Sequence, residues 1–130
     1  MKRPILLIED DQWLADSYLT VLRSRGHDVT QLSSAFEAMP WIDKYRPALI
    51  IADLLLGDHT TLTLLHELQS HTDLAGIPVV VVSQIDQREL DPTDLAHYGV
   101  VESLDKATLT PDRLLMTIEG YLPKQSGVDG

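Results

Sequence analysis

The length of the apolar runs constrains the fold most. Ile5 to Ile8, Leu49 to Ala52 and Val79 to Val82 are rich in Ile, Val and Leu and stop against polar residues or proline. Each is too short for a helix and lacks the alternation of a half-exposed strand, so each reads as a strand buried on both faces. Asp28 to Leu32 and Val100 to Leu104 are weaker candidates for outer strands of the same sheet.

Helical spacing fills the gaps between these runs. Leu14, Tyr18, Val21 and Leu22 recur at three and four residues, as do Leu62, Leu65 and Leu68. Thr110-Pro111-Asp112 combines an N-cap, a proline for the first helical position and an acid in the first turn. It predicts a last helix carrying Leu114, Ile118, Tyr121 and Leu122. Pro40 falls inside Ala35 to Tyr45, and an interior proline costs about 3 kcal/mol, so the second helix is expected to be short, kinked or late-starting. Asp91-Pro92 and Gly99 read as breakers that leave only Thr93 to Tyr98 for the fourth helix. Five strand–helix repeats call for an α/β, doubly wound, five-stranded parallel sheet of order 2-1-3-4-5, a flavodoxin-like (βα)5 arrangement with right-handed crossovers. Ligands of such sheets sit beyond the carboxyl ends of the strands, where the winding reverses between strands 1 and 3.

At 130 residues the chain has the size of one domain, expected over 1–123, with 124–130 as a short flexible tail. Without cysteine there is no disulfide, thiolate metal site or thiol nucleophile, a composition that suits a cytoplasmic protein. No apolar run approaches the roughly 20 residues that span a bilayer, so no membrane contact is expected. The formal net charge of −10 disfavours direct contact with nucleic acid.

Surplus acid usually means only a solvated surface, unless several acids converge. Here Glu9-Asp10-Asp11 follow strand 1, Asp53 follows strand 3, Ser83 follows strand 4, and strand 5 runs into Lys106. Alone, Asp10 or Asp11 could cap a helix, Ser83 a turn, and Lys106 could be solvated. Together they meet at one rim. Two carboxylates about 4 Å apart repel by roughly 4 kcal/mol at an effective dielectric of 20, which calls for a cation. An oxygen-only ligand set suits Mg²⁺, with Mn²⁺ as the alternative, rather than zinc. His27, His59, His66, His71 and His97 show no ligand spacing, and His66 and His71, five apart, miss the register of a helical ligand pair and read as surface residues.

Ile5-Leu-Leu-Ile-Glu-Asp-Asp11, Leu49-Ile-Ile-Ala-Asp-Leu-Leu-Leu56, Pro78-Val-Val-Val-Val-Ser83 and Ser103-Leu-Asp-Lys106 resemble, in order and spacing, the four signatures of response-regulator receiver domains. The resemblance covers residues 3 to 122 and implies a CheY-like fold. It implies that Asp53 takes a phosphoryl group from a phosphohistidine on a histidine kinase or a histidine phosphotransfer protein. It further implies that Asp10 and Asp53 bind Mg²⁺ directly, Glu9 through water, and Leu55 through its backbone carbonyl. Ser83 and Lys106 would contact the phosphoryl oxygens, making the chain the catalyst of its own phosphorylation and slow dephosphorylation.

Several positions depart from the family's pattern. Ser103 stands where Tyr or Phe is usual, so the aromatic relay is missing. Ala107 replaces the proline after the lysine, which predicts a trans peptide and a reshaped loop. Gly57 stands where proline is common, Thr61 where glycine is common, and Gln84 where a small residue is usual. Leu55 and Ile85 are expected to shield the acyl phosphate from water.

The leading expectation is a stand-alone receiver that signals through an unknown downstream protein, with a homodimer through helix 4, strand 5 and helix 5 as one form of output. The alternative is a pseudo-receiver whose output does not depend on phosphate. A small aspartyl-nucleophile hydrolase would need a second carboxylate where Leu55 stands. A nucleotide-binding turn would need a glycine before Gly26.

Overall fold

A computed structural model describes residues 3–54, 59–84 and 91–123. Strands β1 (Ile5–Ile8), β2 (Val29–Leu32), β3 (Leu49–Leu54), β4 (Val79–Ser83) and β5 (Val100–Asp105) alternate with helices α1 (Gln12–Ser24), α2 (Ala38–Tyr45), α3 (His59–Gln69), α4 (Pro92–His97) and α5 (Pro111–Tyr121). All strand pairs are parallel and the order is β2-β1-β3-β4-β5, as the sequence predicts.

The three apolar runs are the central strands, and every residue of β1, β3 and β4 is buried. Alternation divides them between two cores. Ile5, Leu7, Leu49, Ile51, Val80, Val82 and Leu104 pack with Tyr18 and Leu22 of α1 and with Leu114 and Ile118 of α5. Leu6, Ile8, Ile50, Ala52, Leu54, Val79 and Val81 pack with Ile42 of α2 and with Leu64, Leu65 and Leu68 of α3. Helices therefore cover both faces, and the polar strand ends are left at the rim.

Helix ends follow the local chemistry. The Asp11 carboxylate accepts from the Leu14 N–H at 3.2 Å and caps α1. The second helical segment starts late: a 3-10 turn spans Ala35–Glu37, and Pro40 is the third residue of α2. There its missing N–H would have had no helical partner, so the proline is tolerated. Asp91-Pro92 proves to be a start signal rather than a breaker. Asp91 accepts from the Thr93 N–H at 2.8 Å and Pro92 occupies the first turn. Thr110 caps α5 in the same way, accepting from the Arg113 N–H at 3.1 Å.

At the rim opposite the acidic residues, the chain leaves α1 through Gly26, whose φ of +83° only glycine adopts without strain. His27 follows, and its Nε2 lies 2.9 Å from Glu119 Oε2, joining this turn to α5. Among the described residues no helix is long and apolar enough to cross a membrane. The expected tail at 124–130 lies outside the described residues.

Candidate functional site

Strand alternation creates the site. Glu9 continues the Leu7 face of β1, Asp53 the Ile51 face of β3, and Lys106 the Leu104 face of β5, so all three emerge on the α1/α5 side of the carboxyl rim. The Glu9 N–H still bonds to the Leu32 carbonyl at 3.1 Å, so Glu9 extends the ladder past β1. Asp53 lies within β3, opposite Val82, rather than just past the strand's end as expected.

Lys106 Nζ donates to Asp53 Oδ2 at 2.9 Å. It also straddles Glu9, lying 3.1 Å from Oε1 and 3.3 Å from Oε2. Glu9 Oε2 accepts a further bond from the Asp11 N–H at 3.0 Å. Glu9, Asp53 and the lysine side chain are all buried, whereas Asp10 is exposed. Carboxylate oxygens of Glu9, Asp10 and Asp53 nevertheless lie within 4.8 Å of one another.

Two buried carboxylates thus share one ammonium, with a third carboxylate beside them. Burial pushes the Asp53 carboxyl above its ordinary range, opposed by the bond from Lys106 and reinforced by the charge on Asp10. Burial also raises Glu9, opposed by the Asp11 N–H and reinforced by Asp53. Burial would lower Lys106, but its bonds to Asp53 and Glu9 win and hold it above the usual lysine range. The lysine is thus held in its charged form. Asp53 Oδ1 is buried with no hydrogen-bond partner among the described residues. A buried carboxylate oxygen without a donor is costly, and a hard cation is the partner this oxygen-only set fits.

The other predicted positions fall around this centre. Ser83 is fully buried beside Asp53's strand, and its carbonyl accepts from the Lys106 N–H at 2.8 Å. That bond holds the lysine backbone against β4, and the Lys106–Ala107 peptide is trans as expected. Gln84 is exposed and Ser103 half-buried. Leu55, Gly57 and Ile85 lie outside the described residues. Two contributors escape the sequence reading. Gln31 on β2 donates to the Glu9 carbonyl at 2.9 Å, and the Thr61 hydroxyl donates to the Asp53 carbonyl at 3.2 Å. The unusual residue type at Thr61 was the one available signal; Gln31 offered none.

A sequence model of the response regulator receiver domain matches residues 5–119. The chain belongs to the response regulator receiver domain family. The polar-differentiation response regulator DivK of Brucella anthropi is 23% identical over 94% of this receiver and 98% of its own length. The DNA-binding response regulator MtrA of Mycobacterium tuberculosis is 28% identical, but this receiver matches it over 64% of its own length and only 35% of MtrA's. In structure, the signal receiver domain of a signal transduction histidine kinase from Syntrophus aciditrophicus superposes with a TM-score of 0.75 at 26% identity, covering 97% of this chain and 92% of that one.

Proposed function

We propose that this receiver, a cytoplasmic protein in our reading, accepts a phosphoryl group on Asp53 from a phosphohistidine of a histidine kinase or histidine phosphotransfer protein, with Mg²⁺ held by Asp10, Asp53, Glu9 and the Leu55 carbonyl. The observation that carries this reading is the Asp53 carboxylate itself: buried, tethered through Oδ2 to Lys106, and with Oδ1 lacking a donor among the described residues. Mg²⁺, when bound, supplies charge neutralisation to the phosphoryl oxygens. The chain's own residues do the rest. An Asp53 oxygen attacks phosphorus as the P–N bond breaks, and the electron pair returns to the phosphorylated ring nitrogen, so that a donor imidazole already protonated on its other nitrogen leaves neutral. Lys106 moves its hydrogen bonds from the carboxylates to the phosphoryl oxygens, and Ser83 hydroxyl donates to another.

The output in this reading is a protein contact through α4, β5 and α5. Val101 at 41% and Met116 at 72% exposure supply apolar surface there for a downstream protein or a second copy of the chain. Incubation with acetyl phosphate and MgCl₂ followed by mass spectrometry tests the reading. One added phosphoryl group is expected, and none on Asp53→Asn. A wild-type protein that stays unlabelled while binding its partner would instead favour the pseudo-receiver, which Ser103 in place of the aromatic relay supports.

A further inference from the structure

Asp53 is the penultimate residue of β3, so the ladder that fixes its backbone ends one residue later. Its carboxylate is also under load, drawn towards Lys106 through Oδ2 and repelled by Asp10. A hold on its peptide plane from outside the ladder therefore bears on its side-chain direction. Thr61, the third residue of α3, supplies that hold. It is 2% exposed, and its Oγ1 donates to the Asp53 main-chain carbonyl at 3.2 Å.

We propose that Thr61 is a positioning residue that sets the placement of the Asp53 carboxylate through the Asp53 carbonyl. The bond is made to the backbone and not to the carboxylate, so it fixes direction without changing the charge of the site. It also ties the first turn of α3 to β3, bridging the strand end to the helix that follows it. Phosphoryl transfer depends steeply on in-line alignment, and a misplacement of about 1 Å can cost about a hundredfold in rate. The inference rests on Asp53 being the acceptor.

Thr61→Val keeps the buried shape and removes the hydroxyl, whereas Thr61→Ser keeps the hydroxyl and removes a methyl. Thr61→Ala serves should the valine variant not fold. Two measurements are made on each full-length variant: the rate of labelling by acetyl phosphate with MgCl₂, and the ¹³C shift of the Asp53 side-chain carboxyl in metal-free protein. The expected result is labelling slowed about tenfold in Thr61→Val and near wild type in Thr61→Ser, with the carboxyl shift moved only in Thr61→Val. Wild-type labelling by Thr61→Val overturns the inference, as does equal slowing in Thr61→Ser, which would assign the effect to packing. If the wild type takes no label, the acceptor reading fails, and the carboxyl shift alone decides: unmoved in Thr61→Val, it overturns the positioning role; moved there and restored in Thr61→Ser, it supports it.

Discussion

Lys106 and Asp53 are joined at 2.9 Å although 53 residues separate them in sequence, and the pair spans three adjacent strands of one sheet. Lys106 is the counter-charge that lets Asp53 and Glu9 stay buried together. Its replacement by Met should cost about 3 kcal/mol at neutral pH without metal, because removing one partner leaves buried charge uncompensated. Adding Asp53→Asn should recover a large part of that loss. A double-mutant cycle in urea with EDTA measures it, and additive effects would contradict the coupling.

The raised carboxyls predict a pH dependence with a definite sign. A carboxyl whose folded pKa exceeds its unfolded value gives stability that is fully present below the unfolded value, about 4, and lost as pH rises through the folded one. Glu9 and Asp53 are both raised by burial, so at neutral pH they weigh against the metal-free fold. Asp53→Asn should therefore raise the melting temperature in EDTA at about pH 7.5, and the difference from wild type should shrink as pH falls towards 5. Thermal melts across that range check it.

Mg²⁺ should stabilise the wild type at neutral pH, and Asp10→Asn should abolish that gain while slightly stabilising the metal-free protein. Asp10 is exposed and pushes the Asp53 carboxyl up, so its charge is unfavourable until a cation offsets it. Melting temperatures at increasing MgCl₂ read both effects. An undiminished metal response in Asp10→Asn would remove Asp10 from the ligand set.

Tyr18 is buried, and its hydroxyl has no partner among the described residues. Tyr18→Phe removes an unsatisfied polar group and keeps the ring, so it should stabilise the protein by about 1 kcal/mol in chemical denaturation. A loss of stability would mean that the hydroxyl has a partner in solution.

Gly99 leads into β5 with a φ of +79°, and a Cβ there would lie 2.6 Å from Gln69 Nε2. Gly99→Ala should cost about 1–2 kcal/mol through backbone strain. Because Gln69 can swing away, Gln69→Ala should not rescue it. Full rescue in the double variant would assign the cost to the contact instead.

The sheet order and the meeting of Glu9, Asp53 and Lys106 were legible because apolar runs buried on both faces have few architectures open to them. A period of two then dictates which of the flanking residues share a face. Asp91-Pro92 was misread because the same dipeptide both stops and starts helices, and only the capping bond to Thr93 distinguishes the two. Asp53 was placed just beyond β3 because a carboxylate breaks an apolar run, yet its backbone stays paired to β4. Gln31 left no trace in the sequence and Thr61 only an unusual residue type, because each acts on another residue's carbonyl, a relationship that depends on the packing of separate elements.

The His27–Glu119 contact lies at the end of the sheet remote from the carboxylates. That contact ties the turn after α1 to α5 without involving Glu9, Asp53 or Lys106. A substitution at His27 or Glu119 therefore tests the hold between these two elements separately from the chemistry of the carboxylates.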